Sequence, residues 1–260
     1  MEDSAAILVK DLQKSYGEKQ VLKGVDFAVK RGSLFGFLGP NGAGKTTTMS
    51  LITGILTPDG GSVEILGEPM NPNNDKLRRR TGAVHDTLGL FEQLTGQEHV
   101  AFFASIYGVE REIIGQRTAE LFVMLDLTEA ASTRILEYSH GMKKKIELAC
   151  ALVHNPEILF LDEPFEGMDP MSTRVVMENL RAIASSGRTI FLTSHILEIV
   201  EKLCDEVAIL SDGRIVFQQD MAAVRKGWEV GDSDDAHSSL EKVFLEVSSG
   251  KREPSILSWV

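Results

Sequence analysis

Between Leu34 and Leu56 the chain passes from the apolar run Leu34-Phe35-Gly36-Phe37-Leu38, through Gly39-Pro40-Asn41-Gly42-Ala43-Gly44-Lys45-Thr46-Thr47, into a stretch of helical character from Thr47 to Leu56. Strand, glycine-rich turn and helix in that order satisfy G-x-x-x-x-G-K-[ST] at every fixed position, and they commit the chain to an α/β core. Gly39, Gly42 and Gly44 allow positive backbone angles, so successive amide N–H groups converge on one anion while the helix N-terminus adds partial positive charge. Lys45 then reaches the β- and γ-phosphates as a point charge, and the Thr46 hydroxyl suits the shell of Mg2+, which prefers hard oxygen ligands. The turn is read as a grip for a nucleotide triphosphate.

Ile7-Leu8-Val9, Val21-Leu22 and Val25 to Val29 are short β-like runs interrupted by Gly17 and Gly24, which predicts a small N-terminal antiparallel sheet. Val63 to Leu66, Ile158 to Leu161, Thr189 to Leu192 and Val207 to Leu210 read as buried strands of a mainly parallel core sheet, with helices between several of them. Asp212-Gly213 marks a hairpin into Ile215-Val216-Phe217. From about Leu88 to Leu136 the strand signal vanishes. There the capping box Thr95-Gly96-Gln97-Glu98 opens a helix bearing Val100, Phe103, Ala104 and Tyr107, so a helical subdomain is inserted. The expected division is a main domain over residues 1–228 and a linker and tail over 229–260. Glu229 to Glu241 carries five acidic residues and no Lys or Arg, ahead of the apolar Leu240, Val243, Phe244 and Leu245.

With 43% hydrophobic and 25% charged residues among 260, the composition is that of a globular protein large enough for a sizeable core. Its 27 basic and 38 acidic residues leave a formal charge of -11, which gives no footprint for a phosphate backbone and argues against nucleic acid as a partner. Cys150 and Cys204 stand far apart in apolar stretches, as buried free thiols of a reducing compartment. His99 and His154 also lack partners at ligand spacing and are assigned to packing. No apolar run reaches membrane-spanning length, and the acidic start lacks a basic signal region, so a cytoplasmic location is expected.

The strand Ile158 to Leu161 ends in Asp162-Glu163-Pro164. Acidic groups at the C-terminal end of a buried parallel strand lie where open α/β sheets bind ligands. Asp162 suits Mg2+ through water, and Glu163 suits the acceptance of a proton from water attacking the γ-phosphate.

The phosphate loop, Ser139-His140-Gly141-Met142, Asp162-Glu163, Gly167-Met168-Asp169-Pro170 and Thr193-Ser194-His195 occur in a fixed order. Together they resemble the ATP-binding subunit of an ABC transporter from Ile7 to Phe217, and five ordered motifs are far more specific than one. The resemblance implies a P-loop ABC-ATPase fold with ATP and Mg2+ as cofactors. It further implies that Tyr16 stacks on adenine and that residues 139–142 stand for the signature Leu-Ser-Gly-Gly-Gln. Two subunits, alike or different, would pack head to tail so that each signature closes on the partner's ATP, with Asp169 linking the two sites and His195 contacting the γ-phosphate. A separate integral membrane permease would hold the subunit at the cytoplasmic face of the membrane, docking on the helical insert.

Several positions depart from the family pattern. Thr81 to Asp86 aligns with Ile-Gly-Tyr-Val-Pro-Gln, which places Asp86 where a glutamine touches Mg2+ and implies a third metal ligand beside Thr46 and Asp162. His140 replaces the first signature glycine and Met142 the glutamine, while Ser139 and Gly141 remain. The run Lys143-Lys144-Lys145 is expected on a solvated face. The tail Leu240 to Leu245 and the Asp162 to Pro170 phrase resemble bacterial export-type and Ecs-like subunits, which favours export. A competing reading is an ABC ATPase that serves as an assembly or regulatory factor without transport. A small-molecule kinase would share the loop but has no use for the signature or Asp169.

Overall fold

The computed structural model describes residues 5–71, 73–85, 89–228, 240, 241, 243 and 244. In chain order the strands are β1 (Ala5–Tyr16), β2 (Lys19–Lys30), β3 (Leu34–Leu38), β4 (Gly60–Ile65), β5 (Glu68–Pro69), β6 (Thr81–Val84), β7 (Ile158–Asp162), β8 (Thr189–Ser194), β9 (Glu206–Ser211) and β10 (Arg214–Asp220). The helices are α1 (Lys45–Ile52), α2 (Asp75–Arg79), α3 (Gly96–Ile106), α4 (Arg111–Met124), α5 (His140–Leu152), α6 (Pro170–Ser185), α7 (Leu197–Leu203) and α8 (Met221–Trp228).

Two sheets form. The first has the order β2-β1-β4-β5 and is antiparallel; the second has the order β10-β9-β3-β8-β7-β6 and is parallel except for β10. The period of two in each central strand feeds two cores. Phe35, Phe37, Ile158, Phe160 and Phe191 face the antiparallel sheet, while Leu34, Leu38, Leu159, Leu161, Ile190 and Leu192 face the helices. Phe27 of β2 stacks on Phe35 at 5.9 Å and on Phe191 at 5.8 Å, locking the two layers together. Gly36 is small because α7 lies directly on β3: a methyl there would meet Val200 Cγ1 at 2.6 Å and Cys204 Sγ at 3.0 Å.

The structure alters three expectations. Val63 to Leu66 supplies β4 of the antiparallel sheet, pairing Ile7 with Ile65 and Val9 with Val63, rather than a core strand. Gly24 does not interrupt β2; it sits in a register shift opposite the Leu12–Gln13 step, so β2 runs through it. The first helix covers Lys45–Ile52 rather than Thr47 to Leu56, because Gly54 at φ 72 ends it, with its amide donating to the Leu51 carbonyl at 3.1 Å.

Among the described residues the inserted segment holds α3, α4 and two single 3-10 turns, and an isolated bridge between Thr95 and Arg134 closes its base. The capping box forms as expected, with Glu98 N donating to Thr95 Oγ1 at 3.3 Å and Thr95 N to Glu98 Oε2 at 2.9 Å. Cys150 and Cys204 are free and buried, and burial pushes both thiols up. His154 stacks on Tyr107 with ring centroids 3.8 Å apart, and His99 is 1% exposed among Phe91 and Phe103. Most of the acidic linker lies outside the described residues, whereas Leu240 and Val243 pack into the helix-side core. Among the described residues no helix is long and apolar enough to cross a membrane.

Candidate functional site

The C-terminal ends of β3, β7 and β8 are neighbours because β8 lies between the other two. Each strand hands its next residues to one edge of the sheet: Gly39 onward after β3, Glu163 after β7, and His195 after β8. This is the crevice where open parallel sheets place ligands.

The turn after β3 is built by its glycines. Gly42 and Gly44 adopt φ 80 and 113, and Gly44 is the N-cap of α1. A methyl on Gly39 would press on the Leu210 carbonyl at 2.5 Å, so that glycine answers to packing instead. Ala43 N donates to the Pro40 carbonyl at 3.1 Å and closes the turn. Lys45 folds back inside the loop, its Nζ donating to the Gly39 carbonyl at 2.9 Å and lying 3.5 Å from Glu163 Oε1. The side chains of Lys45 and Glu163 are 7% and 13% exposed, so solvent weakens this pair little.

Strand register fixes the acidic pair. Asp162 lies opposite Thr193, whose hydroxyl donates to Asp162 Oδ1 at 2.5 Å and accepts from Glu163 N at 3.0 Å. That second bond holds Glu163 at φ 47, a conformation that costs a non-glycine residue about 1–2 kcal/mol. Thr193 stands in the Thr-Ser-His motif, yet sequence reasoning gave it no role; the cross-strand position was the signal. Glu163 Oε2 accepts from His195 N at 3.3 Å and from His195 Nδ1 at 3.0 Å. Since a carboxylate only accepts, Nδ1 carries the proton in this arrangement.

Lys45, Glu163 and His195 line a cavity of about 550 Å³ together with Asn41, Gly42, Gly44, Thr46, Thr47, Glu166, and Lys19 and Val21 of β2. Lys19, Val21 and Glu166 carry no sequence signal of their own. Asp162 Oδ2 is buried without a hydrogen-bond partner among the described residues, an orphaned hard oxygen beside a phosphate loop. A divalent cation such as Mg2+ fits that oxygen and the exposed Thr46. Burial pushes the half-buried His85 imidazole down while the Asp162 carboxylate pulls it up. Asp86 lies outside the described residues.

The remaining sequence-derived residues stand apart from this cavity. Tyr16 ends β1 half-exposed, opposite Lys19 in the sheet register, with Lys14 Nζ 6.0 Å from its ring centre. Asp169 caps α6, its Oδ1 accepting from the amides of Met171 and Ser172 at 3.0 Å each. The Ser172 hydroxyl and these amides hold its carboxyl below the usual range. Ser139 caps α5, its hydroxyl accepting from Met142 N at 3.2 Å, and Ser139 and His140 are exposed. Residues 139–142 do not line the cavity.

The lysine run is not a solvated face. Lys144 and Lys145 are 3% and 5% exposed, because helical spacing turns them inward with Leu148 and Ala149, and Lys143 pairs with Glu92 at 2.6 Å. Three lysines thus sit in the first two turns of α5, one of them paired with Glu92.

The family model described as ABC transporter matches residues 22–166. The linearmycin resistance ATP-binding protein LnrL of Bacillus subtilis (strain 168) is 37% identical over 207 residues, which are 80% of this chain and 67% of that protein. A Nod factor export ATP-binding protein I of Burkholderia orbicola (strain AU 1054) is 37% identical over 214 residues, covering 82% and 70% respectively. The chain therefore spans about two thirds of the length of these relatives. A solved ATP-binding subunit of an ABC transporter superposes with a TM-score of 0.83 and 31% identity over 93% of this chain and 99% of its own. A dimeric cassette in a post-hydrolysis state, bound to ADP and Pi, superposes with a TM-score of 0.77 and 25% identity over 83% and 98%. By sequence and by fold the chain belongs to the ABC transporter family, as an ATP-binding cassette with ATPase activity.

Proposed function

We propose that this chain is the ATPase subunit of a membrane exporter, in which two cassettes, alike or different, close head to tail around two ATP and drive a separate integral membrane permease. The observation that carries the reading is Gly141. It has ordinary helical backbone, and a methyl on it would meet nothing nearer than 3.8 Å, so neither conformation nor internal packing asks for glycine there. Glycine leaves the α5 N-terminus bare to a group approaching from outside the chain, and a partner's γ-phosphate is such a group.

In this reading the backbone N–H groups from Gly39 to Thr47, Pro40 having none, cradle the phosphates of the chain's own ATP, Lys45 moves from the Gly39 carbonyl to the γ-phosphate, and Tyr16 stacks on adenine. Thr46, Asp162 and Asp86 would hold Mg2+, which when bound neutralises charge developing on the phosphates. Glu163 takes the proton of the attacking water. His195, its Nδ1 proton donated to Glu163, leaves the Nε2 lone pair to accept from that water and orient it beside the γ-phosphate. The partner contributes Ser139, His140, Gly141 and Met142, and Asp169 passes the state of one site to the other. A near-complete switch from open to closed requires ATP to favour the closed pair by about 5.5 kcal/mol, within reach of several charge-assisted contacts at two sites.

The permease has a ready surface. Leu90, Phe91, Leu94 and Phe102 line a groove of about 790 Å³ on the helical insert, where Phe91 and Phe102 meet edge to face at 5.2 Å and remain half-exposed. Such docking would hold the main domain, residues 1–228, at the cytoplasmic face of the membrane, with 229–260 as an appended tail. The export reading is supported by relatives whose names describe antibiotic resistance and Nod factor export.

Glu163→Gln should trap an ATP-bound dimer that Lys45→Ala cannot form, read by size-exclusion chromatography with saturating ATP and Mg2+. Two monomeric variants refute a composite site built from two copies of this chain. Purification from detergent-solubilised membranes should retain a polytopic protein; its absence favours the assembly-factor reading.

A further inference from the structure

We infer that His140 is a positioning residue that ties the signature turn to the loop over residues 163–169 of the same chain, so that the two ATP sites of a dimer respond together. This rests on the head-to-tail reading above and extends it to a residue that departs from the family pattern.

The contact is specific. A methyl built on Gly167 would overlap His140 Cδ2 and lie 2.9 Å from Nε2 and 3.3 Å from Cγ, so the imidazole occupies the space above the bare Gly167 Cα. Gly167 is held at φ 71, and two tight turns shape its loop: Glu166 N donates to the Glu163 carbonyl at 3.2 Å, and Met168 N to the Phe165 carbonyl at 3.2 Å. On the other side, Gly141 faces the Gly167 carbonyl and Met168 Cα, each 3.8 Å from where its methyl would be. The turn at 140–141 therefore rests on Gly167 and Met168 through two successive residues.

The loop connects two places that ATP would occupy. Its first half, through Glu163 and Glu166, lines the chain's own phosphate cavity, and its last residue, Asp169, caps α6. The signature turn would close on the partner's nucleotide. With glycine at position 140 the contact left on Gly167 is that of residue 141, at ordinary van der Waals distance. The imidazole fills the space over Gly167 and makes the junction stiff, and packed junctions pass on displacements that loose ones absorb. A rearrangement of Glu163 and Glu166 around the chain's own triphosphate thus moves the surface offered to the partner's triphosphate, and the reverse follows by linkage.

The test titrates ATP and Mg2+ against the chain carrying Glu163→Gln, reading dimer mass by light scattering, with His140, His140→Gly or His140→Phe in that background. His140→Gly should raise the midpoint about fivefold or more and flatten the transition. His140→Phe keeps a planar ring over Gly167 and should retain both midpoint and steepness. His140→Phe should keep the parent's urea midpoint, since the His140 side chain is exposed, and His140→Gly should lower it only slightly, through the backbone freedom of glycine. Superimposable titrations for His140 and His140→Gly overturn the inference while leaving the dimer intact. If His140→Phe behaves as His140→Gly, the ring acts through its nitrogens rather than its shape, and the inference also falls. A Glu163→Gln chain that stays monomeric at every ATP concentration removes both the dimer and this inference.

Discussion

Gly141→Ala should make the chain more stable and nearly inactive. The methyl would have the Gly167 carbonyl and Met168 Cα as nearest neighbours at 3.8 Å and Met168 Cγ at 3.9 Å, which is ordinary contact, and the helical backbone suits alanine. The substitution then acts through the unfolded chain, whose lost freedom stabilises the native state by about 0.4–1 kcal/mol. For a chain of this size that is a rise of about 1–3 °C in Tm. In the proposed dimer activity should move the other way, because the methyl would crowd the α5 N-terminus where a partner's phosphate approaches. Loss of one preorganised donor costs about 100-fold or more in turnover. Differential scanning calorimetry and steady-state ATP hydrolysis on the same preparation read both effects. Gly44→Ala is the control: at φ 113, with Leu22 Cδ2 2.7 Å from the new methyl, it should lower stability instead. A Gly141→Ala chain with raised Tm and turnover within about twofold of the parent would refute the reasoning, because a 100-fold loss is expected from a blocked donor.

His99, 1% exposed and with Nδ1 unpartnered among the described residues, has its pKa lowered by burial to about 4. Its folded value lies below its unfolded one, so its contribution to stability is complete above about pH 6.5 and is lost as the pH falls towards 4. Between pH 7.5 and 4.5 the stability of the parent should fall relative to His99→Phe by on the order of 3 kcal/mol in urea titrations, and parallel profiles would contradict this origin. Cys150 and Cys204, 6% and 1% exposed, should resist a thiol reagent at pH 8 in the native protein and react fully in urea; rapid native labelling of either would contradict the packing around α5 and α7.

What could be read in advance was whatever a local rule dictates. The β3 strand, the turn and α1 follow from one pattern, because the glycines that bend the loop also cap the helix. The Thr95 capping box and the Asp212-Gly213 hairpin, with φ 47 and 74, are likewise decided within a few residues. Pairing partners are not. Val63 to Leu66 has the same apolar character in either sheet, and only its antiparallel ladder with β1 decides which. The four residues of β6 carry little strand signal, yet Thr81 to Val84 pairs with Ile158 to Leu161 because α5 packs so close that Gly82 has no room for a side chain against the Ala151 carbonyl. Lys144 and Lys145 read as surface by composition, and helical phase places them inside.

The same division runs through the site. Motifs named Lys45, Asp162, Glu163 and His195, but their meeting is a property of strand order: β8 between β3 and β7 brings three distant segments to one edge, and Thr193 then fixes both acidic residues through a single hydroxyl. Because Lys45 lies 3.5 Å from Glu163, a γ-phosphate entering the loop would compete with that carboxylate for the lysine and displace it. Displacement of Glu163 is displacement of the first residue of the loop that ends at Asp169 and carries His140 on Gly167. In the proposed dimer, nucleotide arrival would be felt at the turn over residues 139–142 through seven consecutive residues, 163–169, and one imidazole. The charge that recognises the triphosphate and the contact that would report its arrival belong to one mechanical unit.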